Sequence, residues 1–222
     1  MSYNIKYKII NFETDILKKF ENSLELQFNK IEKKNYNIQK IVSYLSKNAH
    51  KRSLYYEICN SMPSIYELMI HFKEKYFNNM LVWSNPLVRL DFKGTKKFKL
   101  DFHKDEWTLD SKLEGWVVWI PLIKKGGELI TAKGEKLALK KGNYNAIDIE
   151  QGKIKDQKEI KIKYGQALIF HKSLLHKSSH KLQFSIQLRF CQINYKKKFF
   201  KRSHHEVLDE EITKKILSKS NI

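Results

Sequence analysis

The spacing of apolar residues changes character near Leu87, and this change limits the folds that are open to the chain. Before it, apolar residues recur every three or four positions, which is typical of amphipathic helices. In the first predicted helix, within residues 12–34, they are Ile16, Phe20, Leu24, Leu26, Phe28 and Ile31. After it, apolar and polar residues alternate or apolar residues run in short blocks, which is typical of β-strands. Helices followed by about eight short strands predict an α+β fold built around a β-sandwich or jelly-roll barrel.

Two further helices are predicted before the change. The second covers residues 38–59 with Asn48 as a candidate break, and the third begins at Pro63, because proline is tolerated in the first turn of a helix. A short helix is also predicted near the end of the chain, at residues 209–217. Predicted strands lie at residues 87–92, 98–102, 116–122, 128–131, 159–163, 166–170 and 184–193, with turns at Gly94-Thr95 and Gly126-Gly127.

No repeat, proline-rich linker or low-complexity tract divides the sequence. We therefore expect a single domain over residues 1–222. Its parts are a helical N-terminal part at residues 1–82, a β-strand core at residues 83–195, and a C-terminal basic segment with a helix at residues 196–222.

The formal charge is +19, from 43 basic and 24 acidic residues. Such a field attracts nucleic acid, anionic lipid or a phosphorylated small molecule. The lysines are spread along the whole chain, however, which favours ordinary solvation over a dedicated binding surface. The strongest clusters, Lys196-Lys197-Lys198 and Lys201-Arg202, sit beside Phe199 and Phe200 and could form a small anion-binding patch.

The cellular setting is predicted from what the sequence lacks. No apolar run reaches the roughly 18–20 residues that a membrane span requires, and the N-terminus has no secretory signal pattern. We therefore expect a cytoplasmic protein without a membrane partner. Cys59 and Cys191 stand alone in the sequence, which disfavours a disulfide framework and a thiolate zinc site.

Two segments that are distant in the sequence carry candidate metal ligands. His103 and Asp105 form an H-x-D pair, and residues two apart on an extended strand point to the same face. His176 would add a third ligand, giving two histidines and a carboxylate, the set that non-heme Fe(II) oxygenases use to keep coordination positions open. His171 and His180 are the alternatives for the third position.

These segments resemble the phytanoyl-CoA dioxygenase-like branch of the Fe(II)/2-oxoglutarate oxygenases, and especially its small bacterial members related to streptomycin-biosynthesis hydroxylases. The matching parts are His103-Lys104-Asp105, Trp119-Ile120-Pro121-Leu122, the stretch from Gly165 to His176, and the stretch from Ser185 to Arg189, within residues 87–193. The resemblance implies a double-stranded β-helix, which is a cupin-like jelly-roll barrel, together with iron, 2-oxoglutarate and oxygen. It also favours His176 as the third ligand, by its offset from Gly165.

Arg189 is the candidate for the remote carboxylate of 2-oxoglutarate, since arginine offers a planar bidentate fork. On its predicted strand it shares a face with Ser185 and Gln187, while the opposite face carries Phe184, Ile186, Leu188 and Phe190. We therefore expect Arg189 to face the interior with Ser185 as a supporting hydroxyl. Trp107 and Trp119 are candidates to line the pocket, although Trp119 lies in a strand that is typical of core.

The predicted function is an Fe(II)- and 2-oxoglutarate-dependent dioxygenase that uses molecular oxygen to hydroxylate a small-molecule biosynthetic intermediate. The basic surface is compatible with an anionic or phosphorylated substrate. One alternative is a non-redox cupin-like barrel, sugar-binding or isomerase, in which histidines do acid–base work. Another is a basic nucleic-acid-binding protein, which is disfavoured because the aromatic residues lie in apolar strands instead of alternating with lysine on an exposed face.

Overall fold

The computed structural model describes residues 7–78, 80–83, 86–91, 101–105, 114–141, 147–179, 181–192 and 207–208. Within these residues the chain forms four α-helices, one 3-10 turn and eleven β-strands. Several predicted features lie outside them, namely Trp107, His180, the Gly94-Thr95 turn, most of the strand at residues 98–102, the basic clusters at residues 196–202 and the helix at residues 209–217.

The helices precede most of the strands, as the sequence predicts. They are α1 (Thr14–Glu32), α2 (Ile38–Lys47), α3 (Arg52–Ser61) and α4 (Pro63–Tyr76). The side chain of Asn37 accepts a hydrogen bond from the Lys40 amide at the start of α2, and Pro63 occupies the first turn of α4. The predicted break near Asn48 is confirmed, because α2 ends at Lys47 and the 3-10 turn Ala49–Lys51 leads into α3.

The described strands form two antiparallel sheets. Sheet A contains, in spatial order, β1 (Tyr7–Asn11), β8 (Gln166–His171), β5 (Gly115–Pro121), β10 (Gln183–Gln192), β2 (Met80–Trp83) and β11 (Val207–Leu208), with β3 (Leu87–Asp91) also paired to β10. Sheet B contains β4 (His103–Lys104), β7 (Ile147–Ile162), β6 (Gly127–Lys141) and β9 (His176–Ser178).

From β3 onward the chain passes back and forth between the sheets. β3, β5, β8 and β10 belong to sheet A, while β4, the β6–β7 hairpin and β9 belong to sheet B. This winding is compatible with a jelly-roll-like β-sandwich. It brings β4 and β9 side by side, where His103 pairs with His176.

Sheet A is buried on both faces. Its outer face packs against the helices, with Val118, Ile120 and Leu188 in one cluster with residues such as Phe20 and Phe72. Its inner face meets sheet B, in a second cluster of Val117, Trp119, Leu129, Ile160, Ile162, Leu168, Phe170 and Leu174. Burial on both faces explains why β5 reads as a nearly continuous apolar run instead of alternating. It also places Trp119, 1% exposed, in the core between the sheets.

Strand β1 was not predicted. Its exposed and buried positions do not alternate, Ile10 being its one buried residue, so its sequence lacks the period-two pattern. It is held by backbone pairing with β8 from Tyr7–Phe170 to Asn11–Gln166. This strand joins sheet A from within the part of the chain that the sequence predicts to be helical.

Strands β6 and β7 are much longer than predicted. They form one hairpin of 15 and 16 residues, whereas the sequence predicts strands only at residues 128–131 and 159–163. The extra length is rich in lysine and glutamate, and the side chains from Lys133 to Lys136 are exposed. In this extra length, Leu137 and Ile154 pack against the small cluster of Phe102, Ala132 and Leu175, so a few apolar contacts support the backbone pairing.

None of the helices among the described residues is long and apolar enough to cross a membrane.

Candidate metal centre

Three side chains from β4, β9 and the residue after β4 meet in the interior. Each of His103, Asp105 and His176 offers one ligand atom, and these atoms all lie within 4.8 Å of one another. The residues are 2%, 5% and 3% exposed, respectively. His103 and His176 are direct neighbours across the β4–β9 pair, and their ring centroids are 4.3 Å apart. His176 Nε2 lies 3.8 Å from Asp105 Oδ2.

Backbone contacts orient all three residues. His103 Nδ1 lies 2.7 Å from the carbonyl oxygen of Asp101, and His176 Nδ1 lies 2.9 Å from that of Leu174. A ring nitrogen that donates to a carbonyl fixes the tautomer and leaves Nε2 as the ligand atom. The Asp105 amide donates to the carbonyl oxygen of Lys172, which anchors the carboxylate to the turn after β8.

The protonation states suit a metal. Burial lowers the pKa of His103 to about 3, with the neighbouring His176 acting in the same direction. Burial also lowers the pKa of His176. For Asp105, burial would raise the pKa, but His176, Arg189, His103 and Arg89 together outweigh burial and lower it. Neutral imidazoles and an ionised carboxylate are the forms that bind metal ions.

The donor set therefore fits a divalent transition metal. Two histidines and one carboxylate, gathered on one side of a site, are typical of non-heme Fe(II) centres. The H-x-D spacing places two of the donors, His103 and Asp105, on the same side of one extended segment. The third comes from a strand that pairs with it.

Of the other two histidines proposed from the sequence, His171 does not belong to this group. His171 is partly buried at the end of β8, where its Nδ1 lies 2.5 Å from Ser173 Oγ and its Nε2 lies 3.6 Å from Glu114. His180 is outside the described residues. Among the described residues, the candidate ligands are thus His103, Asp105 and His176.

Arg189 lies on the inner face of sheet A. It pairs directly with Val117 of β5, a residue of the cluster between the sheets, and directly paired residues share a face. Its positive charge contributes to lowering the pKa of Asp105. The inward orientation expected for Arg189 and Ser185 agrees with this register, whereas their roles as co-substrate ligands stay predictions.

A second arginine near the centre was not identified from the sequence. Arg89 of β3 pairs with Ser185, and its Nε donates to Asp91 Oδ1 at 2.8 Å. Its charge lowers the pKa values of His103, Asp105 and His176. The alternation of residues along β3 indicates this orientation. Val88 and Leu90 face the helices, so Arg89 and Asp91 face inward.

Comparison with known proteins gives structural likeness only. No family model matches the sequence, and no curated protein matches it. Among solved structures, SnoK, a non-heme alpha ketoglutarate dependent carbocyclase from nogalamycin biosynthesis, is 11% identical with a TM-score of 0.44, over 94% of this chain and 90% of SnoK. ThoJ, a non-heme monooxygenase, is 14% identical with a TM-score of 0.42, over 83% of this chain and 74% of ThoJ.

A third similar structure is EvdO2 from Micromonospora carbonacea var. aurantiaca, which is 12% identical with a TM-score of 0.41. The chain spans 58% of the length of EvdO2, and EvdO2 has also been solved with 2-oxoglutarate. The similar structures thus include non-heme enzymes that depend on alpha ketoglutarate. The TM-scores of these three structures are all below 0.5.

Proposed function

We propose that this protein is an Fe(II)- and 2-oxoglutarate-dependent dioxygenase that hydroxylates a small-molecule biosynthetic intermediate. The observation that supports this most directly is the buried group of His103, Asp105 and His176, whose ligand atoms lie within 4.8 Å of one another. An arginine on the facing sheet, Arg189, adds the cation that a dicarboxylate co-substrate requires.

We also propose that the fold is a double-stranded β-helix and that the chain belongs to the phytanoyl-CoA dioxygenase-like branch. The alternation of strands between the two sheets is what a double-stranded β-helix would produce, and the ligand strands β4 and β9 are adjacent in it. The motifs that resemble the phytanoyl-CoA dioxygenase-like branch coincide with this arrangement. The single-domain division and the cytoplasmic location stay predictions of the sequence.

Each site residue has a specific task in this proposal. His103, Asp105 and His176 hold the iron, and Arg189 binds the remote carboxylate of 2-oxoglutarate through its guanidinium fork. Ser185, the predicted supporting hydroxyl, lies four residues before Arg189 on the same strand, about 13 Å away along it. Arg189 is therefore the principal contact for the co-substrate carboxylate.

The overall reaction converts substrate, 2-oxoglutarate and O₂ into hydroxylated substrate, succinate and CO₂. Iron with its co-substrates supplies the oxidising power when it is bound. The residues of the chain hold the reactants in place and exclude water, since the ligand group is almost completely buried. Hydroxylation is favoured over halogenation because the carboxylate ligand, Asp105, is present.

The same electrostatics argue against a non-redox barrel that uses these histidines as acid–base catalysts. Burial lowers the pKa of both His103 and His176, His103 to about 3. A general acid or base works best when its pKa is close to the operating pH. A metal-binding role makes use of the neutral imidazoles directly.

The test is an anaerobic Fe(II) titration with 2-oxoglutarate, followed by the metal-to-ligand charge-transfer band in the visible spectrum. The wild type should show the band, and His176→Ala should abolish it by removing a ligand. Arg189→Ala should weaken 2-oxoglutarate binding by roughly 10- to 100-fold, the effect of losing a charge-assisted contact.

A matched control is His171→Ala, which removes a nearby histidine that is not in the ligand group and should leave the band unchanged. A folded wild-type protein that binds no iron and gives no band would contradict the proposal. Loss of the band in His171→Ala but not in His176→Ala would show that the ligand set is wrong.

A further inference from the structure

The inner face of sheet A carries a buried hydroxyl next to a second arginine. Ser185 of β10 pairs directly with Arg89 of β3, and the Cβ atoms of such pairs lie about 4.5–5.5 Å apart. Ser185 is 0% exposed, and its Oγ has no hydrogen-bond partner among the residues that the structure describes. Buried hydroxyl groups are normally satisfied, so this one points to a ligand that completes its hydrogen bonding.

Arg89 is held in a fixed orientation. Its Nε donates to Asp91 Oδ1 at 2.8 Å, and the amide of the Gln183 side chain lies 3.4 Å from Asp91 Oδ2. Gln183 is 1% exposed and accepts a hydrogen bond from the Glu128 amide of sheet B. Contacts through Asp91 and Gln183 thereby connect the Arg89 guanidinium to sheet B.

This arrangement is suited to an anion. A guanidinium has five N–H donors in a planar fork, and the contact of Nε with Asp91 fixes the orientation of that fork. Binding is favoured when the cation is already oriented, because less side-chain freedom is lost on contact with the ligand. A hydroxyl beside the fork adds a neutral donor, the combination that suits a carboxylate or a phosphate.

The position is separate from that of Arg189. The register of β10 is continuous from Ser185 to Arg189, so the two residues are about 13 Å apart along the strand. Both arginines lie on the inner face of sheet A by strand register, and the charge of each acts on Asp105 and His176. The inner face of sheet A thus carries two separate cationic positions.

We propose that Arg89 and Ser185 bind an anionic group of the substrate, a carboxylate or a phosphate, while Arg189 binds the remote carboxylate of 2-oxoglutarate. This inference rests on the proposed function and makes the substrate an anionic small molecule. It assigns Ser185 to the substrate in place of the co-substrate.

The experiment is a calorimetric titration of the full-length, metal-free protein with inorganic phosphate and, separately, with acetate, at constant ionic strength set by sodium chloride. Wild type is compared with Arg89→Gln, Arg89→Lys, Ser185→Ala and Arg189→Gln. Lys133→Gln, which changes an exposed lysine paired with Asp156, controls for the general positive charge.

Arg89→Gln should weaken the binding of the preferred anion by at least about 10-fold. Arg89→Lys keeps the charge but loses the fork and should weaken it less, and Ser185→Ala should weaken it several-fold. Arg189→Gln and Lys133→Gln should retain a phosphate or acetate site. The stronger of the two probes identifies the chemistry as phosphate or carboxylate.

Unchanged binding in both Arg89 variants and in Ser185→Ala would overturn the inference. It would also be overturned if Arg89→Gln lost the 2-oxoglutarate charge-transfer band while Arg189→Gln kept it, because Arg89 would then hold the co-substrate. Absence of the band in wild type would contradict the proposed function alone, since the anion titration in metal-free protein is independent of it.

Discussion

The contact between Gly127 and Trp119 shows how a single residue shapes the space between the sheets. Gly127 begins β6, and a Cβ atom at this position would collide with the indole ring of Trp119 on the facing sheet. The close approach places Trp119 in the cluster between the two sheets. Glycine is therefore required here for lack of space instead of for its backbone conformation.

Gly127→Ala should destabilise the protein by about 1–3 kcal/mol, the usual effect of overpacking a core. The free energy of unfolding by urea measures this. Trp119→Phe removes part of the ring, so Gly127→Ala should be less destabilising in the Trp119→Phe background than in wild type. An equal effect in the two backgrounds would show that the collision with Trp119 is not the cause.

Helices α1, α2 and α3 are joined by a partly buried acidic residue at the end of α1. Glu32 accepts hydrogen bonds from the hydroxyl groups of Tyr44 and Tyr55, and its two oxygens lie 2.9 and 3.1 Å from Lys51 Nζ. Burial would raise the pKa of Glu32, but the bonds from Tyr55, Lys51 and Tyr44 outweigh it and lower the pKa to about 2. The ionised form is therefore the one that holds these helices together.

Glu32→Gln should lower the free energy of unfolding by about 1–3 kcal/mol near neutral pH, because it weakens hydrogen bonds to a charged group. The stabilisation from Glu32 is present above the unfolded-state pKa of 4.5 and is lost as the pH falls towards 2. The difference between wild type and variant should therefore shrink in acid. Glu67→Gln, which removes a 3.5 Å surface pair with Lys19, should change the free energy little and serves as the control.

At the scale of the whole molecule, the helical layer and the sandwich meet at a second acidic residue. Glu21 of α1 accepts a hydrogen bond of 2.9 Å from the hydroxyl of Tyr164, in the turn between β7 and β8. Burial, as the main cause, raises the pKa of Glu21 to about 7 despite that bond. The folded protein thus favours a protonated Glu21 where an unfolded chain would ionise it.

A raised pKa stabilises the folded state fully below the unfolded-state value of 4.5, and this stabilisation is lost as the pH rises through about 7. Glu21→Gln should therefore flatten the fall in the free energy of unfolding between these pH values. Urea unfolding at a series of pH values measures the slope. Glu13→Gln, an exposed residue just before α1, should leave the slope as in wild type, and a similar slope in Glu21→Gln would show that Glu21 does not titrate in this range.

Local properties of this protein follow from its amino-acid sequence alone. The three- and four-residue spacing of apolar residues fixed the helices, and the alternation along β10 fixed which face carries Ser185 and Arg189. The H-x-D spacing put His103 and Asp105 on one side of an extended segment. These properties follow from the geometry of a few neighbouring residues, so they can be derived without knowledge of the rest of the chain.

Which distant residues meet depends on the three-dimensional fold. His176 joins the candidate metal centre, and His171 does not, because β9 pairs with β4. Arg89 stands beside Ser185 only through the register of β3 on β10, and β1 completes sheet A through backbone bonds to β8. Strands pair where their apolar faces are buried together, and these faces come from distant parts of the chain. No local pattern of apolar residues encodes that pairing, so the neighbours of the candidate metal centre depend on the three-dimensional fold.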